Sequence, residues 1–123
     1  MTIWLAAAVA AIGLFTAVGH SYLSEKNVLR PLFAQEPVGP MRSRATRDVT
    51  RVLFHLPSLV WAVLGVAILA ARFHGGNLQL SVASALIYAA SGIGNLISLR
   101  RPHPGGFLLL AAAALTGADS IYG

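Results

Sequence analysis

The chain has 123 residues, of which 56% are apolar and only 11% are Asp, Glu, Lys or Arg. A water-soluble domain carries about 25% charged residues on its surface, so this composition argues against a soluble globular fold and indicates a single membrane domain over residues 1–123. The formal net charge of +5 comes from residues in loops beside apolar runs, which argues against nucleic acid as a partner.

The first apolar run occupies residues 3–19. At about 1.5 Å per residue, this run covers most of a hydrocarbon core that is about 30 Å thick. No basic segment precedes it, as one would in a cleavable signal, so we expect it to be retained as the first membrane span. We expect any amphipathic extension of this helix to reach Arg30 and to stop at Pro31.

A basic linker is expected over residues 20–51, because several prolines and a glycine interrupt helical structure there. Three further apolar runs follow, at residues 52–71, 78–99 and 107–122. The turns between these runs are short, and short turns place successive helices side by side and antiparallel. The sequence therefore predicts an all-α fold, a four-helix transmembrane bundle.

The basic residues alternate in density between the apolar runs. The first gap holds six of the nine Lys and Arg residues, the second holds only Arg72, and the third holds Arg100 and Arg101. This is the positive-inside pattern of a multi-pass protein of the cell inner membrane with both termini on the outer, periplasmic side. The lipid bilayer is therefore an expected binding partner of the protein. Four arginines of the linker are expected near anionic lipid headgroups: Arg42, Arg44, Arg47 and Arg51.

Small and polar residues recur along the third run at spacings of three and four residues. Such spacing places them on one face of a helix. In lipid this kind of face lets helices approach closely and hydrogen-bond to one another, which predicts a helix-packing seam. The alternative is that the face lines the path of a small carrier or channel. The central residues of this seam are Ser84, Tyr88, Ser91 and Asn95.

The predicted topology brings three titratable residues, His20, Glu25 and His55, to the inner side of the membrane; we call them the histidine cluster. Two histidines and a carboxylate can ligate zinc, iron or copper, and two histidines from facing helices can ligate haem. The spacing matches no local metal motif, so the favoured interpretation is hydrogen bonding between two helix ends without a cofactor.

The segment Gly19–Leu32 reads GHSYLSEKNVLRPL, and the basic stretch Arg47–Arg51 leads into Val52–Leu56 and then Trp61. These features resemble a group of small, uncharacterised four-span bacterial inner-membrane proteins. In that group a first span ending in His-Ser is followed by a glutamate, and a basic linker leads to an aromatic-His-Leu step and a tryptophan. The resemblance covers the first half of the chain. It implies the architecture and the histidine cluster, and it implies no activity.

The sequence contains no nucleophile elbow and no cysteine, so it offers no recognised catalytic motif. Proton-coupled four-span drug exporters need a carboxylate in the first span, whereas this run has no ionisable residue before His20. The favoured function is therefore a non-enzymatic accessory or structural subunit. It would pack with itself or with other subunits of a larger respiratory, photosynthetic or transport complex. The alternatives are a redox protein that binds haem or a metal through the histidine cluster, and a small carrier or channel.

Overall fold

The computed structural model describes residues 3–122, and over this range the chain forms four long helices. Each helix is long and apolar enough to cross a membrane, which confirms the predicted all-helical fold with four candidate spans. The helices are α1 (Ile3–Ala34), α2 (Arg44–Arg72), α3 (Leu78–Leu99) and α4 (Pro104–Tyr122).

The first helix continues past the proline at which we expected it to stop. Its backbone becomes π-helical over Glu25–Leu29 and returns to an α-helix over Arg30–Ala34. Pro31 has no N–H and its ring crowds the preceding turn, and a π-helical turn just before it provides a wider path for the backbone. The helix ends at Ala34, because Gln35 is extended and Glu36 precedes a proline, which disfavours helical geometry.

The expected linker over residues 20–51 is therefore largely helical, and only residues 35–43 connect α1 to α2. A short 3₁₀ turn at Gly39–Arg42 lies within this connection. The second helix begins well before its apolar run, because the Ser43 hydroxyl accepts a hydrogen bond from the backbone N–H of Thr46 at 3.4 Å. This N-cap stabilises the first turn of α2 over a polar, basic stretch that hydrophobicity alone does not mark as helical.

The helices pack most closely as two antiparallel pairs, α1 with α2 and α3 with α4, and α1 also packs against α4. Two glycines allow this approach. A Cβ atom on Gly13 of α1 would lie 2.8 Å from the carbonyl oxygen of Trp61 in α2, and one on Gly92 of α3 would lie 2.9 Å from that of Gly106 in α4. The consecutive helices α2 and α3 meet instead through the large side chains of Trp61 and Tyr88.

The interior contains small and medium-sized apolar residues together with polar groups. Tyr88, Leu109 and Val9 are completely buried, as are the hydroxyl residues Ser84 and Thr116. Many large apolar side chains face outwards instead, for example Leu59 and Val63 on α2. A bundle surrounded by lipid can have this arrangement, because lipid tails solvate apolar side chains as well as the protein interior does.

Candidate functional site

The histidines of the histidine cluster join α1 and α2 by two reciprocal hydrogen bonds. Nδ1 of His20 is 3.0 Å from the hydroxyl oxygen of Ser58, and Nδ1 of His55 is 2.9 Å from that of Ser21. Because the helices are antiparallel, His20 and Ser21 on one helix face Ser58 and His55 on the other. Each helix therefore contributes one histidine and one serine to the contact.

The third member of the histidine cluster contacts only one of the two histidines. Oε2 of Glu25 is 3.3 Å from Nε2 of His55, and Arg51 donates a hydrogen bond to Oε1 at 3.1 Å. The Nε atom of Arg30 lies 3.9 Å from the same Glu25 oxygen. A carboxylate accepts hydrogen bonds, so Nε2 of His55 carries the proton in this pair; in the neutral imidazole Nδ1 is then an acceptor for the Ser21 hydroxyl.

Glu25 lies beyond the apolar run of α1, in the π-helical segment. Partial desolvation by itself would raise the pKa of this carboxyl group. The hydrogen bond from His55 together with the charge and hydrogen bond of Arg51 outweighs that effect, so that the pKa of Glu25 is lowered from its usual value of 4.5. The carboxylate is therefore held in its charged form beside α2.

His20 has different neighbours. Its ring packs edge-on against Trp61, with ring centroids 5.1 Å apart and an angle of 78° between the planes. No group of three His, Asp or Glu residues within residues 3–122 is arranged so that it could hold a metal ion. Of the predicted metal or haem ligands, the structure brings Glu25 to His55, and it gives His20 a separate set of contacts. This arrangement connects α1 to α2 by hydrogen bonds.

The seam predicted on α3 faces the interior of the bundle. The indole N–H of Trp61 donates to the Ser91 hydroxyl at 3.0 Å, and the Tyr88 hydroxyl donates to the backbone carbonyl of Trp61 at 2.8 Å. Asn95 donates to the Ser91 carbonyl of its own helix at 2.9 Å. Ser84 is fully buried, and its hydroxyl has no hydrogen-bond partner in the described chain. The seam therefore holds α3 against α2 through Trp61.

The four arginines that we expected near anionic lipid each have a protein contact at the end of the bundle where α1 joins α2. Arg42 and Arg47 donate to the backbone carbonyls of Pro37 and Met41, at 3.4 and 2.8 Å. Arg44 lies 3.9 Å from Asp48, and Arg51 binds Glu25. All four are on the connection or the first turns of α2, and Arg44 in particular is highly exposed.

An ion pair that the sequence did not predict lies at the opposite end of the bundle. Arg72 of α2 donates to the Asp119 carboxylate of α4; the Asp119 side chain is buried, and that of Arg72 is mostly shielded. A signal was present, because Arg72 is the single basic residue of the second gap and Asp119 is the single carboxylate of the last apolar run. The pairing itself depends on the ends of α2 and α4 meeting, which the sequence did not determine.

Comparisons of the chain with models of known protein families, with curated proteins and with solved structures give no match. The geometry of the helices is thus the basis for assigning a function.

Proposed function

We propose that the protein is a non-enzymatic accessory subunit of the cell inner membrane, which packs against a second copy of itself or against a larger membrane complex. The observation that carries this proposal is an outward-facing row of small residues on α3. Ala90, Gly94 and Ser98 are spaced by four residues and are all exposed. A Cβ atom on Gly94 would have no protein atom within 4 Å.

In lipid, small residues at a spacing of four mark the places where helix backbones approach closely. The same helix already uses small residues in this way on its inner side, where Gly92 contacts Gly106 of α4. Among residues 3–122, no helix lies against the outer side of Gly94. A helix from another subunit would bury the row and would gain van der Waals contacts with the backbone of α3.

The interior polar contacts also favour a packing role. The histidines, Trp61, Tyr88 and Ser91 form hydrogen bonds from one helix to another. We place the end of the bundle that carries the basic linker in the cytoplasm and the end with Arg72 in the periplasm, by the positive-inside rule. In this orientation the row of small residues runs from mid-membrane towards the cytoplasmic side.

The absence of cysteine from the chain makes a cross-linking test simple. Gly94→Cys should give a disulfide-linked dimer, or a cross-link to a partner, when membranes are oxidised. Leu59→Cys, on the exposed face of α2, is the matched control and should cross-link little. A chain that stays monomeric and partnerless in several mild detergents, with no Gly94→Cys cross-link in membranes, would reject the proposed function.

A bulky residue provides the complementary test. Gly94→Leu should dissociate the assembly in mild detergent, since the added side chain keeps the partner helix away. Ala111→Leu adds similar bulk at an exposed position of α4 and should leave assembly intact. Equal dissociation by both variants would indicate a general loss of stability instead of a specific interface.

A further inference from the structure

A cavity of about 450 Å³ lies between α1, α3 and α4, and Trp61 of α2 also lines it. Its size falls within the range of about 300–1,000 Å³ that is typical of small-molecule sites. The wall formed by α1 is a continuous stripe that repeats every four residues, from Phe15 to Val28. At about 1.5 Å per residue this stripe is about 20 Å long, so the cavity is elongated along α1.

The mouth of the cavity carries positive charge and hydrogen-bond donors. Arg101, in the turn between α3 and α4, is exposed and forms no ion pair with any other described residue. The Nδ1 atom of His103 accepts a hydrogen bond from the backbone N–H of Gly105 at 3.2 Å. Nε2 of a neutral His103 therefore carries the proton and can donate to an anion.

The deeper part of the cavity is largely apolar and has one unsatisfied polar group. Phe15, Leu108 and Leu109 line this part. Thr16 also lines the cavity; it is only 5% exposed, and its hydroxyl has no hydrogen-bond partner within residues 3–122. A buried hydroxyl without a partner is unfavourable, so this group favours an occupant that supplies a polar atom at its depth.

We propose that this cavity binds one acidic phospholipid, with the phosphate at Arg101 and His103 and an acyl chain along the apolar wall. Thr16 lies one helical turn deeper than His20, which also lines the cavity, and its hydroxyl would donate to an ester carbonyl of the lipid. Charge complementarity favours an acidic lipid, since the mouth has a basic side chain and no carboxylate lines the cavity. This inference does not depend on the proposed role as an accessory subunit.

Trp61 lines the cavity and provides an optical probe, because only two tryptophans are present. Trp4 is exposed near the far end of α1, so a Trp4→Phe background leaves Trp61 as the single emitter. The full-length protein, purified and delipidated in detergent, is titrated with phosphatidylglycerol whose acyl chains are dibrominated. We expect this lipid to quench Trp61 at about fivefold lower mole fraction than dibrominated phosphatidylcholine.

The position of the bound lipid can be tested with two variants and one control. Arg101→Gln should remove the preference for phosphatidylglycerol, whereas Arg100→Gln, which removes the neighbouring charge outside the cavity lining, should keep it. Gly19→Leu places a side chain in the cavity, where a Cβ atom meets no protein atom within 4 Å, and should abolish the quenching. Circular dichroism and gel filtration establish that each variant is folded.

Several results would overturn the proposal. Equal quenching by the two phospholipids, or equal effects of Arg100→Gln and Arg101→Gln, would mean that the cavity does not select a charged headgroup. Unchanged quenching in folded Gly19→Leu would place the lipid elsewhere. If dibrominated stearic acid competes as well as phosphatidylglycerol, the ligand is a free fatty acid and the assignment to a phospholipid is wrong.

Discussion

Arg72, the last residue of α2, and Asp119, three residues from the end of α4, form an ion pair that is almost completely buried. Their side chains are 13% and 4% exposed, and Arg72 also donates to the Asp119 backbone carbonyl at 3.4 Å. The Nε atom of Arg72 and Oδ1 of Asp119 are buried and have no hydrogen-bond partner in the described chain. The pair connects two helices that are not consecutive in the sequence.

We expect Asp119→Ala to lower the free energy of unfolding by about 3–5 kcal/mol, because it leaves the Arg72 charge buried without a partner. Unfolding of the purified protein by sodium dodecyl sulfate in mixed micelles, followed by circular dichroism, measures the change. The double variant Arg72→Met/Asp119→Leu should recover most of the loss, since an apolar pair can replace a buried ion pair.

The exposed pair of Arg44 and Asp48 is the matched control for this prediction. Its side chains are 90% and 66% exposed, so Asp48→Ala should cost less than about 1 kcal/mol. If Asp48→Ala and Asp119→Ala lower the free energy of unfolding equally, burial does not make the Arg72–Asp119 pair more important for stability than an exposed pair.

A second prediction concerns the closest approach of α1 and α2. A Cβ atom on Gly13 would lie 2.8 Å from both the Trp61 carbonyl oxygen and the Tyr88 hydroxyl oxygen, so Gly13→Ala must push the helices apart. Overpacking of this kind costs about 1–3 kcal/mol, and the same micelle unfolding assay detects it. Gly19→Ala on the same helix meets no protein atom within 4 Å and should stabilise the helix slightly. Equal effects of the two substitutions would contradict the packing described at Gly13.

The apolar runs predicted the number and order of the helices, because about twenty apolar residues are the length that a span requires. They did not predict how far α1 and α2 extend into polar sequence. The continuation of α1 through Pro31 depends on a π-helical turn, and the early start of α2 depends on the N-cap at Ser43. Neither feature can be predicted from the hydrophobicity of the sequence.

The candidate site was predictable only in part. The positive-inside pattern brought His20 and His55 to the same side of the membrane, and they do lie across one helix contact. The pattern could not determine which atoms meet, because the rotation of each helix about its axis decides that Glu25 contacts His55 and that His20 contacts Ser58. The partners of Trp61 and Asp119 on other helices were unpredictable for the same reason.

The Glu25 pair predicts a specific sensitivity to acid. Because the pKa of Glu25 is lower in the folded protein than its usual value of 4.5, the carboxylate stabilises the fold fully above that pH. This contribution is lost as the pH falls through the lower folded-state pKa. We expect the melting temperature in detergent to fall between pH 5 and pH 3 by more in the wild type than in Glu25→Gln.

Glu36→Gln is the control for this acid response. Glu36 lies in the connection between α1 and α2 and forms no ion pair with another described residue. The control variant should therefore show the same fall in melting temperature as the wild type. If Glu25→Gln shows that same fall too, the contacts of Glu25 with His55 and Arg51 do not stabilise the fold.

The orientation in the membrane gives the last prediction. Eight of the nine basic residues in the described chain lie at the end of the bundle with the two connections at 35–43 and 100–103, and Arg72 lies at the other end. By the positive-inside rule we expect Ser43 in the cytoplasm and the turn that contains His74 in the periplasm.

In cells with a permeable outer membrane, a membrane-impermeant maleimide should label His74→Cys and should leave Ser43→Cys unlabelled until the inner membrane is broken. The cysteine-free wild type sets the background. Labelling of Ser43→Cys in unbroken cells would show that the orientation is the opposite of the one proposed. The proposed lipid site would then lie in the outer leaflet of the membrane.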